Sequence, residues 1–263
     1  DWVTLRNYRD DNGLNADINI RTHDIATLGL WGPKAVNALG NFIDPNEIDI
    51  QNFPFVTAKN LTLNLSGGKK VDVWAARISY VGESGWEIYF NNNKDDGLAL
   101  YDSLLEVGVV PVGIETYANS RRLEKSFRLQ GADLETEYTA IEAAIQRPLV
   151  KEADFHGKAA HLSHREEDPC AILCTMTLDD LNVSGVPRYP VGISPIIDPA
   201  TGEVPVDSKG RRSYTTGMSY CPSIKKFVVM GYLPKELAIQ GKQLLIEYFN
   251  DDGDGVYPIT VQI

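Results

Sequence analysis

In RISYVGESGWEIYF, residues Arg77–Phe90, two runs rich in aromatic and β-branched residues flank Gly82-Glu83-Ser84-Gly85. This is the composition of two paired strands joined by a turn. A carboxylate, Glu87, stands in the second run between Trp86 and Ile88. A strand glutamate either lies outward on a solvated face or faces inward, where it needs donors from the protein or from a ligand. Tyr80, Trp86 and Tyr89 lie close by in sequence. Aromatic faces beside a carboxylate suit a flat heterocycle with adjacent N–H donors, and a 2-aminopyrimidinone edge has that shape.

Working outward, the first hundred residues mix α and β. Asp1–Asp11 reads as the end of a helix, Ile25–Leu30 as a short apolar run, and Pro33 as the opening of a helix over Lys34–Leu39. Leu61–Leu65, the Ser66-Gly67-Gly68-Lys69 turn and Val71–Tyr80 read as a hairpin whose second strand puts Trp74, Ala76, Ile78 and Tyr80 on one face. Asn93 is placed to cap a helix whose apolar positions Leu98, Tyr101, Leu104 and Leu105 recur at helical spacing, ending near Gly108. Val109–Val112 then reads as a buried strand, and Ile114–Ser126 as a second helix carrying Arg121, Arg122, Glu124 and Lys125. Near Asp168 the texture turns to β, with Cys170–Leu178 apolar and Gly, Pro and turn residues recurring through to Ile263. Two domains are expected, an α+β region over residues 1–167 and a small β-barrel over 168–263.

The chain has 263 residues, 43% hydrophobic and 23% charged, with a formal charge of −11. That is globular composition, and the charge opposes non-specific binding to nucleic acid or anionic lipid. No apolar stretch reaches the ~18 residues of a membrane span, and the first residues lack the basic-then-apolar pattern of a signal peptide, so export is not expected. No nucleic-acid or membrane partner is expected. Cys170, Cys174 and Cys221 are an odd number without a disulfide framework, which suits free thiols in a reducing compartment.

Other motifs are weaker. His156, His161 and His164 are spaced H-x4-H-x2-H, but no Cys or carboxylate pattern completes a metal site. FNDDGDGVYP places Asn250, Asp252, Asp254 and Gly255 like the first half of a calcium loop, yet Val261 stands where the bidentate Glu belongs, and a hairpin turn is expected. The Ser66–Lys70 stretch lacks the phosphate-loop spacing, and no dinucleotide, serine-hydrolase or kinase signature occurs. No metal is expected.

YVGESGWEIYF resembles the Y-x-G-E-x-G-W/Y-E-hydrophobic motif of the glycine cleavage T-protein (aminomethyltransferase) superfamily. RRLEKSFRLQGADL, EYTAIEAAIQRPLVKEADFHGKAAHL and YTTGMSYCPSIKKFVVMGYL resemble, in order, three later segments of that family, so the likeness spans almost the whole chain. The resemblance implies a T-protein-like α+β folate-binding fold, incomplete at its N-terminus, followed by a β-barrel. It implies tetrahydrofolate as cofactor, with Glu87 on the pterin N–H edge, Tyr80, Trp86 and Tyr89 around it, and Arg122 at a family position. The implied reaction is transfer of an aminomethyl or methyl unit to tetrahydrofolate from a small methyl or methylamine donor. Ala118 replaces an Arg of the glycine cleavage T-proteins, and with the EKSFR spelling it makes the chain more similar to the folate domains of dimethylglycine and sarcosine dehydrogenases. A flavoprotein dehydrogenase domain is thus an implied partner, and cytoplasm or mitochondrial matrix the implied compartment. The family's catalytic Asp segment, of the type G-G-I-x-D-D, has no counterpart in Asp1–Asn52, so no catalytic residue is assigned. The alternative is a non-catalytic folate-binding or regulatory subunit that keeps the fold without the chemistry.

Overall fold

The structure is a computed structural model, and it describes residues 1–146, 149–178, 193–250 and 253–262. The chain divides into two compact units, one of Asp1–Ser79 with Glu83–Pro111 and one of Tyr80–Gly82 with Val112–Ile263.

The first unit is built on a four-stranded antiparallel sheet. Its strands are β1 (Ile25–Trp31), β2 (Ala58–Asn64), β3 (Lys70–Ala76) and β4 (Gly85–Asn91), in the order β1-β4-β3-β2. β2 and β3 are joined by a 3-10 turn at Ser66–Gly68, where Gly67 and Gly68 take positive φ. Side chains alternate across each strand, so Leu28, Leu30, Leu61, Leu63, Val71, Val73, Trp86, Ile88 and Phe90 enter one core. Helices α2 (Ala35–Leu39), α3 (Pro45–Ile48) and α4 (Lys94–Glu106) add Leu39, Ile48, Leu100 and Leu104 to it. The N-terminal helix α1 (Trp2–Asp11) buries none of its residues.

Asn93 caps α4 as expected, its side chain accepting from the Asp96 N–H at 2.7 Å. The buried stripe shares only Leu104 with the expected one. Leu100, Ser103 and Leu104 are buried, while Leu98, Tyr101 and Leu105 are exposed. Both stripes have helical spacing, and small residues decide between them: Gly97 lies so close to the Phe90 ring that a Cβ there would sit 3.3 Å from it. Val109–Val112, expected as a buried strand, is in no strand, and Val110 is 75% exposed.

β3 ends at Ala76, short of the expected Tyr80. Arg77 breaks it: one guanidinium nitrogen donates to the carbonyls of Ile48, Asp49 and Phe53 at 3.0, 2.9 and 2.7 Å, and the group lies over the Trp86 ring at 5.0 Å. Burial lowers the pKa of this guanidinium, against the pull of the Asp49 carboxylate. The chain between β3 and β4 is therefore a longer connection than a tight turn.

The second unit holds six antiparallel strands, β5 (Ala171–Leu178), β6 (Ile196–Ile197), β7 (Thr215–Cys221), β8 (Lys226–Pro234), β9 (Gln243–Asn250) and β10 (Gly253–Val261). Their order is β6-β9-β10-β5-β8-β7. The strip at β6 also bonds the chain entering β7, Thr215 N to Ser194 O at 2.9 Å and Ile196 N to Ser213 O at 3.2 Å, which curls the sheet closed. The calcium-like stretch sits where β9 and β10 pair as a hairpin, with Asp252 outside the described residues. Ahead of the barrel come a π-helical turn (Thr116–Arg121), α5 (Arg122–Glu124) and α6 (Lys158–Glu166). The strands of this sheet begin at Ala171, and the compact unit that holds them also takes in Tyr80–Gly82 and the chain from Val112. Buried bonds explain this: Glu142 O accepts from Leu173 N at 2.8 Å, and Asp133 O accepts from the Tyr232 hydroxyl at 2.7 Å.

Candidate functional site

On β4, Trp86, Ile88 and Phe90 point into the core, which sends Glu87 and Tyr89 to the other face of the sheet. Trp86, expected beside a ligand, is therefore 0% exposed and packs against Phe53 and Arg77 instead. Strand alternation makes Trp86 and Glu87 mutually exclusive on either face.

Glu87 sits in a row of small neighbours, opposite Gly29 on β1 and Ala76 on β3. The Tyr89 hydroxyl donates to its Oε2. Among the described residues its Oε1 accepts no hydrogen bond. Tyr89 pairs across the strands with Trp74, the ring centroids 5.1 Å apart, and Trp74 is largely exposed. Further along the sheet, Trp74, Tyr89, Asp72 and Asn91 with Asn60 and Thr62 of β2 help line a cavity of about 910 Å3. The arrangement is a half-buried carboxylate, one oxygen held and the other open, beside an aromatic pair. It can accept two parallel N–H donors from a planar ring.

Tyr80 and Arg122 belong to the second unit. Tyr80 meets Tyr117 at 5.3 Å and stacks on Phe127 at 6.0 Å, and its hydroxyl donates to the Arg128 carbonyl at 2.8 Å. Burial pushes its phenol pKa up, while Arg122 pulls it down. Arg122 is 1% exposed and its guanidinium is occupied by protein acceptors: Asp133 Oδ2, the Ala118 carbonyl at 2.7 Å and the Phe127 carbonyl at 3.0 Å. It is thus half of a buried ion pair with Asp133 and faces no solvent. Glu124 pairs with Arg121, not with Arg122.

All three cysteines are free thiols, and burial raises Cys174 and Cys221 to about 12. Among the described residues no group of three or more His, Cys, Asp or Glu side chains is placed to hold a metal ion. No helix among them is long and apolar enough to cross a membrane.

Sequence reasoning missed Gly29, Trp31 and Asp133. Gly29 and Trp31 did leave a signal, as they stand at period two with Thr27 in an otherwise apolar strand.

The family model described as the GCVT N-terminal domain matches residues 1–152. The human protein named mitochondrial dimethylglycine dehydrogenase is 30% identical over 264 residues, covering 95% of this chain and 26% of that protein. An aminomethyltransferase of Symbiobacterium thermophilum is 31% identical over 243 residues, covering 89% of this chain and 58% of its own length. The chain thus spans about a quarter of the first relative and little more than half of the second. In structure it is similar to the glycine cleavage system aminomethyltransferase T from Bartonella henselae, with TM-score 0.68, 23% identity, and coverage of 91% of this chain and 58% of that one. That likeness carries the fold, and the family model carries the kinship: the chain belongs to the glycine cleavage T-protein superfamily.

Proposed function

We propose that this chain is the folate-binding part of a tetrahydrofolate-dependent one-carbon transferase. The observation that carries the reading is Glu87 on the sheet face, Oε2 held by Tyr89 and Oε1 open. A pterin presents a ring N–H and an exocyclic N–H side by side, the donor edge that a fixed carboxylate takes up in two parallel charge-assisted bonds. The residues fit such a group. Ala76 leaves one flank of the carboxylate clear of a bulky side chain, and Tyr89 fixes one oxygen before any ligand arrives.

Bound tetrahydrofolate would supply the secondary amine nitrogens that take up the one-carbon unit. The work left to this chain is binding and orientation: Glu87 sets the rotation of the pterin in its plane, and the Trp74–Tyr89 pair offers apolar surface beside it. In its own unit Tyr80 offers a further aromatic face, with its hydroxyl already engaged by Arg128. Arg122 acts there indirectly, by holding Asp133 and the Phe127 carbonyl in place. The donor is proposed to be a small methyl- or methylamine-bearing molecule, and the partner a flavoprotein dehydrogenase, in line with the relatives named dimethylglycine dehydrogenase. Cytoplasm or mitochondrial matrix is the proposed compartment. No side chain here is assigned the catalytic acid's role.

Glu87→Gln keeps the size but turns an NH2 group toward a ligand donor. Affinity for tetrahydrofolate should fall by about 1.5–3 kcal/mol, more than tenfold in Kd. Its melting curve should match the wild type, because the missing partner is the ligand. Calorimetric titration of both proteins checks this. Equal affinities would remove Glu87 from the site, and no binding by the wild type would favour an interaction subunit that keeps the fold without folate.

A further inference from the structure

We infer that Trp31 is the stacking platform of the Glu87 site, the surface on which the flat face of the heterocycle rests while its edge meets the carboxylate. The inference rests on the folate reading above and deepens it. Trp31 is the last residue of β1, on the same face of the sheet as Gly29 and Glu87. Its indole folds back over its own strand. A Cβ built on Gly29 would lie 2.0 Å from Cζ3 and 2.2 Å from Cη2, so the benzo ring fills the space that any side chain at position 29 would need.

Gly85, the cross-strand partner of Trp31, completes the seat. A Cβ there would meet Trp31 Cδ1 at 2.8 Å and the Leu30 carbonyl at 1.9 Å, and its φ of +152° is rarely adopted by residues with side chains. The far edge of the ring is pinned as well, since Nε1 donates to the Ile78 carbonyl at 2.9 Å. Glycine inside a strand weakens it and marks places where another group must approach closely. Two glycines in neighbouring rows, at positions 29 and 85, are what lets an indole lie down beside Glu87.

A half-buried indole locked at one edge, next to a carboxylate with an open oxygen, is preorganised for a planar ligand. Trp31 stands on one side of Glu87 along the sheet and Tyr89 on the other, because the row of Trp31 and Gly85 and the row of Thr27 and Tyr89 flank the row of Gly29 and Glu87. Aromatic stacking of a heterocyclic base typically changes affinity by about fivefold to a hundredfold.

The test compares wild type, Trp31→Phe and Trp31→Leu by calorimetric titration with tetrahydrofolate. The platform predicts a loss of about tenfold for Trp31→Leu and less than about threefold for Trp31→Phe, which keeps a ring but not the N–H bond to Ile78. Wild-type affinity in Trp31→Leu overturns the inference. So do equal losses in both variants, which would trace the effect to the lost N–H bond. Should Trp31→Leu fail to fold, fluorescence decides: ligand-induced quenching of indole emission should be clearly reduced in Trp31→Phe, the remainder coming from Trp74, and an unchanged quench overturns the platform. Wild-type binding that Glu87→Gln weakens and Trp31→Leu does not would sink the platform alone. No wild-type binding would sink it together with the folate reading.

Discussion

Replacing Asp133 by Asn is expected to cost about 3–5 kcal/mol of stability, because it strips the counter-charge from a guanidinium that has no access to water. Arg122 is 1% exposed and Asp133 0%. On the Asp133 side every oxygen is bonded: Oδ2 takes Arg122 and the Leu129 N–H at 2.8 Å, Oδ1 takes the Thr216 hydroxyl, and the backbone oxygen takes Tyr232. Packing confirms how closely the guanidinium is held, since a Cβ on Gly217 would fall 2.6 Å from its terminal nitrogen. Arg122→Met should lose a similar amount by leaving Asp133 unpaired. The double variant Arg122→Met/Asp133→Leu should lose less than the sum of the two, since an apolar pair removes both charges together. Urea unfolding followed by circular dichroism gives all three values. A loss under about 1 kcal/mol for Asp133→Asn would show that the pair is not held as described.

The second large effect lies in acid. Glu142 is buried in a cluster in which Arg211 binds its carboxylate, and Arg211 also holds Asp207 at 2.7 Å and lies over the Tyr138 ring at 4.2 Å. Burial alone would raise the Glu142 pKa. The Arg211 bonds, with the Thr139 N–H at 2.9 Å, outweigh it and hold the carboxyl at about 2, against 4.5 for a free side chain. A folded pKa below the unfolded one means that this carboxylate stabilises the fold fully above pH 4.5 and loses that contribution as pH falls toward 2. Glu142→Gln should therefore lose about 3 kcal/mol at pH 7 and show a flatter stability curve between pH 4.5 and 2 than the wild type. Chemical unfolding at a series of pH values measures both. Parallel curves for the two proteins would refute the assignment.

These two clusters also show which parts of the molecule could be read from sequence. The Asn93 cap and the apolar run from Cys170 are local, and each produced the expected element, while the Gly82–Gly85 signal marked the start of β4 but not a tight turn. The four ordered motifs carried the family, which the match over residues 1–152 bears out. What escaped was decided by partners distant in sequence. Arg122 stands at a family position that implies folate, but its guanidinium turns to Asp133, eleven residues on. Trp86 and Glu87 were both placed at the ligand, although strand alternation allows only one of them there. Arg77 ended β3 early by reaching across to the Ile48–Phe53 carbonyls, a use of Arg that no local pattern announces.

The strand order of the first unit has a kinetic consequence. β2 and β3 join through a short turn and β4 adds next to β3, whereas β1 pairs with β4 across more than fifty residues of chain and forms an edge of the sheet. Long closures are slow to form, and edge strands are early to open. Gly29 and Trp31 ride on β1, so the wall beside Glu87 is assembled last and released first, in fluctuations far short of unfolding. A ligand gripped between β1 and β4 would suppress those openings, and the amides of Ile25–Trp31 would be where its presence slows hydrogen exchange most.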